Sequence, residues 1–231
     1  MNGVSRKDYW ERLFFTKLPL PQKEIKDWIK EYATPYKELM AYYCCAMMEI
    51  EMKIPVLNEE LSLQYSRPPI ETIKTRLKSV DSIANKLMKR NLLLTVDNIE
   101  RHIQDVAGVR VICSFSSDIY TVAEAFLRQD NITLVEKKDY LKNPKPNGYR
   151  SLHLIVKIPV FLHGKMKQVK VEIQFRTMSM EWWASLEHKI RYKKDVIVPK
   201  GVDDELRECA EVSAILDHRM QEIQEKVNRS R

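Results

Sequence analysis

Apolar residues along the chain recur at two different periods, and the alternation of these periods predicts a mixed α/β fold. Helical spacing dominates a first region at about 22–52, where Thr34-Pro35 is typical of a helix N-terminus and would divide the region into two helices. The predicted strands lie at about 70–78, 109–113, 132–138, 151–160 and 168–175. The other predicted helices lie at about 79–90, 98–104, 117–128, 178–191 and 203–228.

The predicted strands divide their residues between an apolar and a polar face. In QVKVEIQFR, which would follow a hairpin at His163-Gly164-Lys165, alternate residues are apolar and the others are polar. The polar sets on three strands are Lys74, Arg76 and Lys78; Tyr149, Ser151 and His153; and Lys170, Glu172, Gln174 and Arg176. A solvated sheet face would give the same alternation on any single strand. Three strands with this composition favour a phosphate-rich ligand that contains a ring.

Composition limits the classes of partner. The formal charge of +7, from 39 basic and 32 acidic residues, favours a polyanion but does not distinguish a nucleotide from a nucleic acid. The five glycines occur in neither GxxxxGK[ST] nor GxGxxG, which excludes the usual glycine-rich phosphate loops. The first residues lack a signal-peptide pattern and no apolar run is long enough to span a bilayer, so we expect a cytoplasmic protein without membrane contact.

Two carboxylates in this setting are candidates for metal binding. Asp105 precedes a strand that would start near Arg110, and Ala107-Gly108 leave room for close approach of backbone or ligand. An isolated Asp at such a position is more often a cap or turn residue. Together with Glu172, which lies among cations, Asp105 becomes a candidate ligand of Mg²⁺, which takes one or two carboxylates plus phosphate oxygens and water. His102 and Asp105 form a weaker pair because no third ligand accompanies them.

Five ordered motifs carry a resemblance to a known family. They are RxKxxxSIxxK from Arg76 to Lys86, DVAGVR from Asp105 to Arg110, NPKxxGYRSxH from Asn143 to His153, EIQFRT from Glu172 to Thr177 and WASLEH from Trp183 to His188. They occur in the order seen in the RelA/SpoT synthetase domain, over roughly residues 70–192, and together they are far more specific than any one motif. The chain resembles a stand-alone small alarmone synthetase, most closely of the RelP type.

The resemblance implies a fold, a domain organisation and a reaction. The fold would be a nucleotidyltransferase-like mixed β-sheet of the α/β (α+β) class, flanked by helices and extended by helices at both termini. The synthetase domain would occupy residues 61–192, between a helical extension at 1–60 and another at 193–231. The implied reaction transfers pyrophosphate from ATP to the 3′-hydroxyl of GDP or GTP, and it yields (p)ppGpp and AMP.

The resemblance also implies a role for each candidate residue. The ATP-binding residues would be Arg76, Lys78, Ser82, Lys86 and Arg110, with the arginines enclosing the adenine and the others holding phosphates. The GDP- or GTP-binding residues would be Lys145, Tyr149, Arg150, His153 and Gln174, with Lys138 a weaker candidate. Tyr149 would stack on guanine. Asp105 and Glu172 would be the catalytic and Mg²⁺-binding residues, and Glu172 is either a second metal ligand or the base for the 3′-hydroxyl. Glu181 stays outside the catalytic set because relatives often have Asn or Asp there.

The sequence also bears on activities other than synthesis. No His-Asp dipeptide occurs in the sequence, so we expect a synthetase without the hydrolase activity of the long bifunctional relatives. The alternative from another class is a basic single-stranded RNA-binding module that uses the same Tyr, Arg and Lys face.

The C-terminal helix carries a heptad-like stripe formed by Leu206, Cys209, Ser213, Leu216, Met220, Ile223 and Val227. This stripe would pack on the chain's own N-terminal helices or between subunits, and because related small synthetases are homotetramers we expect a homotetramer.

Overall fold

The structure, a computed structural model, describes residues 33–65, 67–191, 199 and 201–230 of the chain. The chain divides into two compact units, Met1–Leu39 and Met40–Arg231. The sheet, the candidate site and the helices that flank them belong to the second unit. The part of the predicted helical region before residue 33 lies outside the described residues.

Five strands form one mixed sheet within the described part of the chain. They are β1 (Ile70–Leu77), β2 (Ala107–Cys113), β3 (Thr133–Asp139), β4 (Leu152–Leu162) and β5 (Lys165–Thr177). Their order across the sheet is β1-β2-β5-β4-β3. The β2 and β5 strands are parallel, and each of the other neighbouring pairs is antiparallel. The predicted mixed sheet is therefore confirmed.

Helices alternate with the strands as the periodicity predicts. They are α1 (Thr34–Tyr65), α2 (Val80–Met88), α3 (Val96–His102), α4 (Ser116–Leu127), α5 (Met178–Arg191) and α6 (Val202–Arg229). Side-chain caps set two of their starts. The Ser79 hydroxyl accepts from the backbone N–H of Ser82 at the start of α2, and the Thr95 hydroxyl accepts from that of Asn98 at the start of α3.

The first helix is longer than its sequence pattern predicts. It was expected to end near residue 52, but it continues to Tyr65 and contains Pro55. Proline in a helix interior removes a backbone donor and is costly. The helix nevertheless continues because Ile54, Leu57 and Leu61 are all buried, and the packing of these side chains outweighs the lost hydrogen bond.

The β4–β5 hairpin turns more tightly than predicted. Leu162 pairs with Lys165, so only His163 and Gly164 lie in the turn, with φ of 50° and 74°. Positive φ at both central positions is the geometry of a two-residue turn that matches the twist of paired strands. The tight turn lets both strands extend beyond their predicted ends, to Leu162 in β4 and back to Lys165 in β5.

The register of the sheet collects the polar residues on one face. Lys74 pairs with Arg110, Arg110 with Gln174, and Gln174 with His153, which forms one row across four strands. In the neighbouring row, Arg76 pairs with Gly108 and Gly108 with Glu172. The opposite face is core, as predicted, and its members in β5 are the buried Val169, Val171, Ile173 and Phe175. The β2 strand starts at Ala107, so Arg110 lies within the strand and not at its start as expected.

The C-terminal helix α6 buries only part of the stripe that the sequence predicts. Its buried residues are Leu206, Ala210 and Ser213. The exposed apolar residues of α6 are Val212, Ile215, Leu216, Met220, Ile223 and Val227. In α2, the apolar side chain of Met88 is likewise exposed. Within the described residues, no helix is long and apolar enough to cross a membrane.

Candidate active site

A cavity of about 750 Å³ opens beside the polar face of the sheet. Its walls come from the end of β1, from α2 and from α5. Seven of the residues predicted from the sequence line it: Arg76, Lys78, Ser82, Lys86, Arg110, Tyr149 and Gln174. Lys89, Arg176 and Lys189 add further positive charge to the lining. A cavity with this excess of cations and an aromatic ring suits an anionic ligand that contains a planar ring.

Asp105 lies directly before β2, where two lysines hold it. Lys78 Nζ is 2.5 Å from Oδ2, and Lys86 Nζ is 2.8 Å from Oδ1. Burial raises the pKa of Asp105, but the hydrogen bonds and charges of both lysines outweigh it and hold the pKa below its usual value. The carboxylate is therefore ionised at neutral pH. Its partners are two of the lysines that the sequence assigns to ATP phosphates.

Glu172 lies in the middle of β5, beside Gly108 of β2. Its Oε1 is 3.3 Å from His153 Nδ1, and its Oε2 accepts from Gln174 Nε2 at 2.8 Å. Burial raises the pKa of Glu172, but the interactions with His153 and Gln174 outweigh burial, so the pKa lies below its usual value. The charge of Asp105 makes a smaller contribution that raises it. Glu172 also lines a smaller cavity of about 210 Å³, together with Arg76 and Arg110.

Glu181 in α5 lies where three cations meet. Its Oε1 accepts from Lys74 Nζ at 3.0 Å and from Arg110 Nη1 at 2.9 Å, and its Oε2 accepts from Arg176 Nη1 at 2.8 Å. Burial raises the pKa of Glu181, but these cations outweigh it and lower the pKa. Glu181 is outside the predicted catalytic set, yet in the structure it is the common acceptor for Arg110 and Arg176. Glu181 follows Arg176 by only five residues, across a strand-to-helix junction. This short spacing is the sequence feature from which the contact between the two could have been predicted.

Tyr149 is held by hydrogen bonds at its hydroxyl and by cations at its ring. Arg176 Nη2 donates to the hydroxyl at 2.6 Å, and His153 Nε2 lies 2.8 Å from the same oxygen. Lys145 Nζ lies over the ring at 5.0 Å from its centroid, and Arg176 Cζ at 5.1 Å. The ring of Tyr149 is therefore fixed at its hydroxyl and lies next to two cations.

Arg176 was not among the predicted site residues, although it shares the polar face of β5 with Glu172 and Gln174. Its side chain is only about 5% exposed. It also donates from Nη2 to Gln174 Oε1 at 2.9 Å. Arg176 thus contacts Tyr149, Gln174 and Glu181 at once, and its position could be predicted only from the alternation along the strand.

Six other predicted residues lie outside the lining of this cavity: Asp105, Glu172 and Lys145, described above, and Arg150, His153 and Lys138. Arg150 is directed away from it, since its Nη1 donates to the Ala210 carbonyl of α6 at 3.3 Å. The physical reason is strand parity, because Arg150 precedes β4 on the opposite side from His153. His153 is buried between Tyr149 and Glu172, and Lys138 pairs with Glu136 at 3.2 Å. This placement does not support the expected binding of GDP or GTP by Arg150.

The carboxylates fit a magnesium ion only in combination with phosphate. No group of three or more His, Cys, Asp or Glu side chains among the described residues is arranged to hold a metal. Asp105 and Glu172 provide two carboxylates on one side of the sheet, which matches the donor set that Mg²⁺ uses when phosphate oxygens and water complete its shell. The weaker pair of His102 and Asp105 gains no third ligand from the described residues.

Comparisons with known proteins agree with this geometry. Residues 75–197 match the family described as the region found in RelA / SpoT proteins. The chain is 44% identical over 202 residues to the GTP pyrophosphokinase YwaC of Bacillus subtilis strain 168, which covers 87% of this chain and 96% of that protein.

Solved structures of small alarmone synthetases are also similar to this chain. The crystal structure of the small alarmone synthetase 2 from Bacillus subtilis has a TM-score of 0.74 at 44% identity, over 83% of this chain and 98% of that chain. The small alarmone synthetase 1 from the same organism, bound to its product pppGpp, has a TM-score of 0.77 at 34% identity, over 83% of this chain and 97% of that chain. This protein belongs to the RelA/SpoT family.

Proposed function

We propose that the chain transfers the pyrophosphate group of ATP to the 3′-hydroxyl of GDP or GTP, forming (p)ppGpp and releasing AMP. The observation that carries this conclusion is that all five residues expected to bind ATP line one cavity with Tyr149 and Gln174. The relatives support it, since one is a GTP pyrophosphokinase and another binds pppGpp as its product.

ATP would enter between the two arginines and the lysines of the cavity. Arg76 and Arg110 carry planar guanidinium groups that suit the faces of adenine. Lys78 and Lys86 now pair with Asp105. A triphosphate carries more negative charge than one carboxylate, so the lysines would turn toward the phosphates and free the oxygens of Asp105.

The guanine nucleotide would be seated against Tyr149. The ring offers a surface for base stacking, and Lys145 lies beside it to meet the acceptor's phosphates. Arg176 and His153 fix the ring by contacting its hydroxyl. Gln174, which is hydrogen-bonded to Glu172, would then bring the ribose next to the carboxylate.

Glu172 would act as the general base. It takes the proton of the 3′-hydroxyl, and the hydroxyl oxygen forms a bond to the β-phosphorus of ATP. The bond between that phosphorus and the oxygen that bridges to the α-phosphate breaks, and AMP leaves with this oxygen. The proton on Glu172 then passes to solvent. The anchored position of Glu172 beside Gln174 supports this role, and its lowered pKa keeps the carboxylate ionised before each cycle.

Mg²⁺ is proposed as the cofactor. When bound, it neutralises charge on the transferred phosphates. Asp105 would hold it once the lysines have turned to the phosphates, and Glu172 is the second carboxylate within the same site. We place the reaction in the cytoplasm because its substrates, ATP and guanine nucleotides, are available there.

One experiment tests the proposed reaction directly. The purified protein is incubated with labelled ATP, Mg²⁺ and GDP or GTP, and the products are resolved by chromatography. We expect AMP and (p)ppGpp in equal amounts, and no AMP when the guanine nucleotide is omitted. Added ppGpp should not be hydrolysed, since the sequence contains no His-Asp dipeptide. Single-stranded RNA binding without AMP formation would instead establish the RNA-binding alternative, which no relative named above supports.

The proposed assembly is a homotetramer held largely by the terminal helices. Support comes from the exposed apolar residues of α6 and from a groove of about 1100 Å³ beside this helix. The groove is lined by apolar side chains such as Phe115, Trp182 and Leu216. Exposed apolar side chains grouped along one helix are typical of a protein–protein contact.

A further inference from the structure

The loop that carries Tyr149 rests directly on the C-terminal helix α6. Gly148 has φ of +85°, and a Cβ atom built on it would lie 2.5 Å from the Cβ of Ala210. Atoms at that distance overlap, so a glycine is required here for both backbone conformation and space. The loop backbone at Gly148 therefore lies against α6 with no room for a side chain between them.

The residues that flank Gly148 also contact α6. Arg150 donates from Nη1 to the Ala210 carbonyl at 3.3 Å. The ring of Tyr149 packs against a buried cluster made of Trp183, Ala184, Leu206 and Ala210. Gly148 and Arg150 thus both meet α6 at Ala210, and Tyr149 between them packs on a cluster to which α6 contributes Leu206 and Ala210.

Separate hydrogen bonds fix α6 in place. Trp183 Nε1 donates to the Leu206 carbonyl at 2.7 Å, and Thr177 Oγ1 donates to Asp217 Oδ2 at 2.7 Å. These bonds tie the helix to α5 and to the end of β5, the strand that carries Glu172. The position of the Tyr149 loop relative to Glu172 is therefore set partly through α6.

From these contacts we infer that α6 positions the loop for the guanine nucleotide, with Ala210 and Arg150 as positioning residues. The helix would set the affinity for GDP or GTP without touching either nucleotide. The inference rests on the proposed function, in which Tyr149 meets guanine. It also gives Arg150 a role that differs from the expected direct binding of GDP or GTP.

The first test enlarges Ala210. Ala210→Val should press the loop away from the helix and raise the KM for GDP about tenfold, which corresponds to about 1.4 kcal/mol. The KM for ATP and the kcat at saturating nucleotide should change less than about twofold. Ala123→Val in α4 is the matched control, because the two alanines are 3% and 4% exposed and the added volume is the same. The control should lower the melting temperature but leave both KM values unchanged.

A second test asks whether the contact is direct. Gly148→Ala should raise the KM for GDP by about tenfold or more, because of the overlap with Ala210 and the strained φ. Adding Ala210→Gly removes the overlapping methyl group and should recover part of that loss. Recovery in the double variant cannot come from a general loss of stability, since each single change lowers stability by itself. Ala210→Ser, a smaller enlargement, replaces Ala210→Val if the valine variant does not fold.

The outcomes distinguish a failure of the inference about α6 from a failure of the proposed function. An unchanged KM for GDP in Ala210→Val, or equal rises for GDP and ATP, would overturn the inference while AMP formation upholds the reaction. If the wild-type protein forms no AMP, the proposed reaction fails. The role of α6 is then decided by calorimetric titration of GDP into the same variants, where a tenfold weaker Kd supports it and an unchanged Kd refutes it.

Discussion

Arg176 and Glu181 form a nearly buried ion pair at the junction of β5 and α5. The distance from Nη1 to Oε2 is 2.8 Å, and the side chains are 5% and 10% exposed. Arg176 also donates to the hydroxyl of Tyr149, and Glu181 also accepts from Arg110. The pair therefore joins the residue expected at guanine to a residue expected at adenine.

Glu181→Gln should lower the free energy of unfolding by about 3–5 kcal/mol, because it leaves the buried guanidinium of Arg176 without a carboxylate. Urea denaturation of the two proteins at pH 7 measures the difference. Asp97→Asn is the control, since Asp97 pairs with Arg101 at 2.8 Å but both side chains are more than half exposed. That change should cost no more than about 0.5 kcal/mol. Equal losses in both variants would contradict a special role for the Arg176–Glu181 pair.

The Arg176–Glu181 pair should also make the free energy of unfolding depend on pH. The pKa of Glu181 is lowered in the folded protein, so its stabilisation is fully present above the unfolded-state pKa and is lost as the pH falls through the folded-state pKa. The stability gap between wild type and Glu181→Gln should therefore be constant near neutral pH and shrink below about pH 4.3. Urea denaturation at pH 7, 5 and 3.5 follows the gap, and a gap that widens in acid would contradict the lowered pKa.

Asp105→Asn should reduce kcat by at least about 10²-fold, because the amide neither ligates Mg²⁺ well nor orders Lys78 and Lys86. The fold should persist, as judged by circular dichroism. The dependence of the rate on Mg²⁺ concentration should also shift to higher values. Asp81→Asn, an exposed residue in the first turn of α2, is the control and should retain full activity. Near-normal turnover in Asp105→Asn would remove this residue from the site.

Glu172→Gln should lower kcat by about 10²–10⁴-fold, the usual contribution of a positioned base. The amide keeps the shape of the side chain, so the KM values for both nucleotides should change little. Steady-state kinetics gives both parameters. Glu136→Gln on β3 changes a partly exposed glutamate that pairs with Lys138, and it should leave both parameters unchanged. A rise in KM without a fall in kcat would point to a binding role instead.

Tyr149→Ala should weaken binding of GDP by about 1–3 kcal/mol and leave binding of an ATP analogue nearly unchanged, because the change removes the guanine stack but no expected contact with ATP. The sequence alone suggests that Tyr149→Phe is mild. The structure predicts otherwise, since the phenol oxygen accepts from buried Arg176 at 2.6 Å and an unpaired buried donor costs about 1–3 kcal/mol. Calorimetric titration of both nucleotides distinguishes these cases, and equal losses for GDP and the ATP analogue would indicate a collapsed loop.

Leu216→Gln on α6 should weaken self-association, because it places an amide within the exposed apolar stripe. Light scattering at micromolar concentration should report a tetramer for the wild type and smaller species for this variant. Glu211→Gln, on an exposed position of the same helix, should leave the tetramer intact. A wild-type monomer under these conditions would contradict the proposed assembly.

The pattern of apolar and polar residues along the strands predicts which side chains face the core and which form the polar face. Alternation in QVKVEIQFR fixed which residues face the core, because successive strand residues point to opposite sides. The polar face, with Glu172 and Gln174 on it, followed from the same alternation. Helix lengths were less predictable. The α1 helix extends to Tyr65 through Pro55 because Leu57 and Leu61 are buried, and local propensity does not report such burial.

The sequence does not predict which charged groups contact one another in the folded protein. Asp105 contacts Lys78 and Lys86, and Glu181 contacts Arg110, because strand register and helix placement bring together residues that lie far apart in sequence. Arg150 has the charge expected of a phosphate ligand, but its place in the loop directs it to α6. Residue type determines what a side chain can bind, whereas the path of the backbone determines which of those partners lies within reach.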